Sequence, residues 1–408
     1  MAAAAVTEWR DDAILVSSTD LPLVQSALAE LGDKFPRLEP TAKRHGITRL
    51  ESERGLTGDD VAGLVDAIRK TCREKFSVEP AVSPRHVLVI GQPNTSGNPE
   101  GLPKAVSAHF EDRNDTSAGA GITVGVIDTG IDRNQWLDGA YLAAPADFDR
   151  GVAAAKSDGR PLGPQTGHGV FLAGLILQQA PGATVKLWKV LDDDGVADID
   201  DVADTVYRAA ASGIDILNLS LGCFTRNNRP PWTLANALKD LDSKIVVVAS
   251  AGNAGELRPF WPAAFERVIG VGSVVQKNGG WTRAEYSNHG AWVDLYVPAN
   301  DVLSTFIRYE GQAALVRRGG KDTPTERVDY RHWAEWSGTS MAAAIVSGAI
   351  ARGASSSTSA GAAARTLLAQ PEQLGFARRL QLADEEYEDG TKLTRVAVAF
   401  EPAVRVQR

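Results

Sequence analysis

Cysteine is nearly absent: Cys72 and Cys223 are the only two in 408 residues, far apart and in unlike settings. A disulfide framework is therefore excluded as the organising device, and a reducing compartment is compatible. No apolar run approaches the ~20 residues that cross a bilayer, which excludes a spanning helix. Basic charge is not in excess. The formal net charge is −8, whereas a nucleic-acid binder would carry a basic face. The opening stretch MAAAAVTEWRDDAILV lacks the basic flank, apolar core and small-residue cleavage site of an export signal. Together these absences predict a cytoplasmic protein with neither membrane nor nucleic-acid partners.

What is present suits a sizeable core. Apolar residues make up 43% and charged residues 23% of a chain long for one domain and comfortable for two. No internal repeat is visible. Residues 1–91 read as a small alternating unit. AILVSS, ITRLES and RHVLVIG are strand candidates, and LPLVQSALAEL places Val24, Ala27, Leu28 and Leu31 on one helical face. A second helix starts at a capping-box pair, Thr57 and Asp60, and carries the stripe Val61, Leu64, Val65, Ile68 and Cys72. Residues 92–115 begin with the Pro/Gly/Asn/Ser-rich QPNTSGNPEGLPKA and read as a linker. Residues 116–408 alternate continuous apolar strands (GITVGVID, TVKLWKVL, IDILNLSLG, KIVVVASAGN, RVIGVGSV) with helices. Strands of that kind are covered on both faces. The expected architecture is a doubly covered α/β sheet behind a small N-terminal α+β domain, with chemistry at the carboxyl ends of the strands.

Four positions stand at such ends. Asp128 closes the first strand in VIDTGID, although aspartate also commonly begins turns. His168, in QTGHGVFLAGLIL, has a glycine on either side and a helix behind it. His45, His86, His109, His289 and His332 have no such setting and no zinc-type spacing. Asn253 follows the fourth strand in ASAGNAG, where a plain turn is the alternative. Ser340, in EWSGTSMAAAIVSG, sits at the mouth of a helix among small residues, where it reads equally as an N-cap or a nucleophile. A serine becomes a nucleophile when an imidazole takes its proton and a carboxylate fixes that imidazole. An amide side chain and an N–H at a helix start can then receive an oxyanion.

VIDTGID, GHGVFLAG, AGN and GTSMAA, in that order, resemble the subtilase family of serine peptidases. The likeness extends over about residues 120–352. It implies a subtilisin-like three-layer sandwich with a mostly parallel central sheet and an endopeptidase acting on protein or peptide substrates. It further implies that Asp128 orients the histidine, His168 is the base and acid, Ser340 attacks, and Asn253 with the Ser340 N–H receives the oxyanion. By the same resemblance, Ser220, Leu221 and Gly222 pair with an extended substrate. Ala251 and Gly252 then form the facing wall of the pocket for the residue before the cleaved bond. Both walls look open, so large or apolar residues are expected there.

The sequence departs from the family pattern at Val170, where threonine is usual, and at Ala344, where proline is usual. A longer departure is the 306–336 insertion, whose alternating halves suggest a β-hairpin, either beside the site or on a solvated surface. The acidic run LDDDGVADIDD reads as a turn and a charged helix start rather than a calcium site. No cofactor and no essential metal are expected. The N-terminal unit, or the 306–336 insertion, could bind a regulatory protein; the unit is also prodomain-like in size and element order. The competing reading is a catalytically silent binding or signalling module of the same fold.

Overall fold

The computed structural model describes residues 9–52, 55–56, 58–90, 102–113, 115–159, 161–312, 316–318, 321–323, 327–382, 396–404 and 406–407. Thr57 of the expected capping box, most of the expected linker's first half and parts of the hairpin tip lie outside the described residues.

The N-terminal domain runs β1 (Trp9–Ser17), α1 (Leu21–Leu31), β2 (Glu39–Arg44), β3 (Ile47–Glu51), α2 (Gly58–Phe76) and β4 (Val82–Val89). Its sheet is antiparallel, in the order β2-β3-β1-β4. Both helices cover one face, because their apolar stripes have the 3.6-residue period that faces a flat surface. Val24 and Ala27 of α1 and Val61, Leu64, Val65, Ile68 and Cys72 of α2 pack on Ile14, Val16, Leu50 and Val82. The sequence did not indicate β2, whose side chains are almost all exposed.

The large domain begins with β5 (Thr123–Asp128), β6 (Tyr141–Leu142), α3 (Gly151–Asp158), α4 (His168–Gln179), β7 (Thr184–Lys189), β8 (Val196–Asp198) and α5 (Ile199–Ala210). It continues with β9 (Ile216–Leu219), α6 (Trp232–Lys239), β10 (Val246–Ser250), β11 (Val268–Lys277), β12 (Gly280–Arg283) and β13 (Leu295–Pro298). Then come β14 (Val302–Gln312), β15 (Arg327–Trp336), α7 (Thr339–Gly353), α8 (Ala360–Ala369), β16 (Ala377–Leu380) and β17 (Ala397–Phe400). The central sheet is ordered β16-β17-β13-β11-β10-β9-β5-β7-β6, with β12 also on β11. Its pairings are parallel except β16 on β17 and β12 on β11.

Strand alternation divides the core into two. Val124, Val126, Ile216 and Val248 face α4, α7 and α8. Ile127, Leu217, Leu219, Val247 and Ala249 face α5 and α6. This is the three-layer α/β arrangement, and it brings the carboxyl ends of β5, β9 and β10 side by side. β8 leaves the central sheet altogether and pairs antiparallel with β4, so the sheet of the small domain gains its fifth strand from the large one. No helix among the described residues is long and apolar enough to cross a membrane.

Candidate active site

Asp128 is the last residue of β5 and is wholly buried. Its Oδ1 accepts a hydrogen bond from the Thr129 N–H at 2.7 Å. His168 opens α4, with Nδ1 at 2.8 and 2.9 Å from the two Asp128 carboxylate oxygens. The flanking glycines are steric necessities. Gly167 has φ +87°, and a Cβ there would lie 2.8 Å from a Phe306 ring carbon. A Cβ on Gly169 would collide with the Gly130 carbonyl. Asp149, whose carboxylate accepts from the Gly167 and Gly151 N–H groups at 2.9 Å each, fixes the chain just before the histidine. Burial raises the Asp149 carboxyl above its usual range, against the opposing pull of Lys189 and those two N–H groups.

Ser340 is the second residue of α7, a helix buried through almost all its length. Its Oγ donates to the Ser220 carbonyl at 3.4 Å, while Ser220 Oγ donates to the Ser340 carbonyl at 3.2 Å. His168 Nε2 is buried and has no hydrogen-bond partner among the described residues. The structure thus forms the Asp–His half of the expected triad and leaves the Ser–His hydrogen bond unmade. The serine holds a donor turned to main chain, and the imidazole holds a nitrogen without a partner among the described residues.

Asn253 follows β10. Its Oδ1 accepts from Thr339 N at 3.0 Å and from Thr339 Oγ1 at 2.8 Å. With that oxygen occupied, the amide NH₂ is the end available to a ligand. It lies next to Gly338, where an added Cβ would be 3.3 Å from Nδ2. The first N–H groups of α7 have no helical acceptor, so a second donor stands nearby. Thr339 is a part the sequence did not reveal: it orients Asn253 and also accepts from the Gly252 N–H at 3.0 Å. Asn218 was missed too. Its amide donates to Ser220 Oγ at 2.9 Å, and its Oδ1 bonds Ser347 Oγ at 3.0 Å, tying β9 to the serine helix. A buried asparagine in an apolar strand leaves no periodic signal in a sequence.

The subtilase family matches residues 119–371. The chain belongs to the subtilase family. It is 35% identical over 202 residues to the "Thermophilic serine proteinase" of Bacillus sp. (strain AK1), covering 47% of each chain. It thus spans about half the length of that relative. It is 30% identical over 252 residues to the "Intracellular serine protease" of Paenibacillus polymyxa, covering 57% of this chain and 66% of that one. The crystal structure of fervidolysin from Fervidobacterium pennivorans, a keratinolytic enzyme related to subtilisin, shares the fold. The TM-score there is 0.55 at 20% identity, over 86% of this chain and 56% of the other.

In this subtilase the strand after the small domain's last helix ends inside the large domain. Val89 and Gly222 exchange two main-chain hydrogen bonds, at 2.9 and 3.0 Å, and the Ile90 N–H donates to the Gly195 carbonyl at 2.9 Å. On its other side β4 carries β8 in the register Val196↔Val89, Ala197↔Leu88 and Asp198↔Val87. Val89 therefore lies between Gly222 on one side and the 195–198 segment on the other. Leu221 points into the core, fully buried. Ala251 and Gly252 stand on the facing side, with Asn288 holding both. Its Nδ2 donates to the Ala251 carbonyl at 2.7 Å, and its N–H to the Gly252 carbonyl at 2.9 Å.

The 306–336 insertion takes in most of β14 and all of β15, which pair antiparallel. Its base is no solvated surface. Phe306, Ile307, Tyr330 and Trp336 are buried in the main core. The Trp336 ring meets the His168 imidazole edge-on, with centroids 5.3 Å apart and planes at 88°. The acidic run also has a use beyond a charged helix start. Arg85, from β4, reaches Asp200 at 2.8 Å and Asp198 at 2.9 Å, and Arg10 reaches Asp198 at 2.6 Å. Arg49 grips Asp200 from the other side. Burial opposes the Asp200 charge, but Arg85 and Arg49 outweigh it and hold its carboxyl below the ordinary range. Those carboxylates are thus engaged by arginines. Among the described residues, no group of three or more His, Cys, Asp or Glu side chains is arranged to hold a metal.

Proposed function

We propose that this chain is a serine endopeptidase working through an acyl-enzyme, with Asp128, His168 and Ser340 as its triad. The observation that carries the reading is an imidazole clamped by both oxygens of a buried carboxylate, its far nitrogen unsatisfied, in a site that also presents Ser340 and the Asn253 amide. Ser340 Oγ attacks the peptide carbonyl carbon as its proton passes to His168 Nε2. Asp128 stabilises the imidazolium through Nδ1. Asn253 Nδ2 and the Ser340 N–H receive the oxyanion. Collapse expels the amine, which takes the proton from His168, and water then releases the acyl group by the same steps. A loose Ser–His contact before substrate arrives is compatible with this, since such bonds tighten in the reactive complex.

The rest of the proposal concerns restraint. Residues 1–91 form a unit joined by 92–115 to the peptidase at 116–408, and its β4 end fills the edge where an extended substrate would add as a strand. Support comes from the Val89–Gly222 pair and from Ile90 on Gly195. An intracellular setting accords with two free, buried cysteines and with the name of the Paenibacillus relative. If a chain lacking residues 1–100 folded and cleaved as the full chain does, the restraint would be refuted.

A silent module of the same fold is the second reading, and it draws on Ser340 Oγ being turned to the Ser220 carbonyl. Peptide cleavage separates the two. The full chain should cut an unstructured protein substrate, and Ser340→Ala should lower kcat by on the order of 10⁶-fold. No cutting together with no fluorophosphonate label on Ser340 would favour the silent module, whereas a chain that labels at Ser340 without cutting would point to the restraint.

A further inference from the structure

The two walls expected to flank the residue before the scissile bond are Gly222 and Ala251–Gly252. A side chain that drew no attention in the sequence, Phe260, reaches both. A Cβ built on Gly252 would lie 2.9 Å from Phe260 Cδ1 and 3.1 Å from Cε1, and one built on Gly222 would overlap the same ring edge. The same ring edge therefore occupies the space that a side chain on either glycine would need. It is 1% exposed and wedged edge-on against Phe224, with centroids 5.0 Å apart. The main chain beside it is pinned as well. Trp261 and Cys223 exchange two backbone hydrogen bonds, at 2.8 and 3.0 Å. Phe260 cannot swing away without breaking that pairing or leaving Phe224 unpacked.

The docked strand supplies the register. Val89 lies opposite Gly222. In an antiparallel pair, the position two further along one strand stands opposite the position two back on the other. A substrate in this register would set that position against Ser220, whose carbonyl accepts the Ser340 hydroxyl. On the walls that the resemblance implies, the residue at that position would enter the gap that Phe260 lines.

Resting on the peptidase reading above, we propose that Phe260 makes this a small-residue peptidase, accepting glycine, alanine or serine on the acyl side of the cleaved bond. The open walls suggested by the small residues of the sequence are closed by a ring from elsewhere in the chain, so the expectation of large or apolar residues is replaced.

The test is digestion of a proteome-derived peptide library by the full chain, with cut sites read by mass spectrometry. Matched peptides with alanine or phenylalanine before the scissile bond give kcat/KM. Wild type should cut after glycine, alanine or serine and prefer alanine to phenylalanine by at least about tenfold. Phe260→Ala should reverse that preference, and Phe260→Leu, which keeps more of the packing, should narrow it. Wild-type cutting after phenylalanine or leucine as readily as after alanine would overturn the inference. So would an unchanged preference in both folded variants. Fluorophosphonate labelling of the same sample tells the two failures apart. A chain that labels at Ser340 and cuts after large residues refutes only the role of Phe260. One that neither labels nor cuts refutes the peptidase reading and this inference with it.

Discussion

Asn253 has two amide ends with different fates. Its oxygen is tied down by both the N–H and the hydroxyl of Thr339, which leaves the NH₂ as a fixed donor beside the start of α7. A donor held in place before the reaction costs no reorganisation when charge develops, which is why oxyanion groups carry so much of the rate. Asn253→Ala should therefore lower kcat about 10²–10³-fold with little change in KM, measured on a peptide substrate. An equal effect on KM alone would mean that the amide binds the ground state instead. Asn253 stood out in the sequence because glycine and alanine surround it. Thr339 did not, since its role is a pair of hydrogen bonds to a residue 86 positions away. Phe260 was equally silent: an aromatic residue in a loop gives no hint of which backbones it will touch.

The elements were legible where periodicity speaks. The five parallel strands from β5 to β11 were continuous apolar runs, and the stripes of α1 and α2 marked the faces that they bury. The edge strand β2 and the antiparallel strands β16 and β17 left no such mark. The hairpin of β14 and β15 could be foreseen as a hairpin but not placed, because alternation says which side of a strand is apolar and nothing about what it covers. It covers the histidine. Phe306 packs behind Gly167, and Asn134 donates to the carbonyls of Phe306 and His332 at 3.0 and 3.1 Å, fastening the hairpin to the loop after β5. Trp336 is 4% exposed and packs on His168, Phe171 and Phe306. Trp336→Ala should cost about 3–5 kcal/mol of stability, read from denaturant midpoints. It should also lower kcat, because the imidazole loses the wall that holds its plane. Trp336→Phe should recover most of both. A variant that is destabilised but keeps full kcat would reduce Trp336 to a core residue.

The contact between the two domains could not be read along the chain, since it joins arginines at 10, 49 and 85 to aspartates near 200. Each half looked like ordinary surface charge. Together they fasten the β4 end into the large domain. The Asp200 carboxyl lies below its ordinary value in the folded protein. Its contribution is therefore complete above about pH 4, the ordinary aspartate value, and is lost as pH falls through the lowered value. Hydrogen exchange, corrected for intrinsic rates, should show the Val89 and Gly222 amides protected at neutral pH and progressively exposed below about pH 4. Arg85→Ala removes one partner of a buried ion-pair set, a change that costs about 3–5 kcal/mol, and should loosen the same amides at neutral pH. Protection that ignored both changes would show that the strand pairing alone holds the domains together. Beneath all of this lies the claim that His168, held by Asp128, makes Ser340 a reactive alcohol. Fluorophosphonate labelling, with the modified residue located by peptide mass mapping, tests it most directly. The account predicts one label on Ser340, abolished by Ser340→Ala and strongly slowed by His168→Ala. A folded wild-type chain that stays unlabelled, or labels equally well without His168, would contradict it.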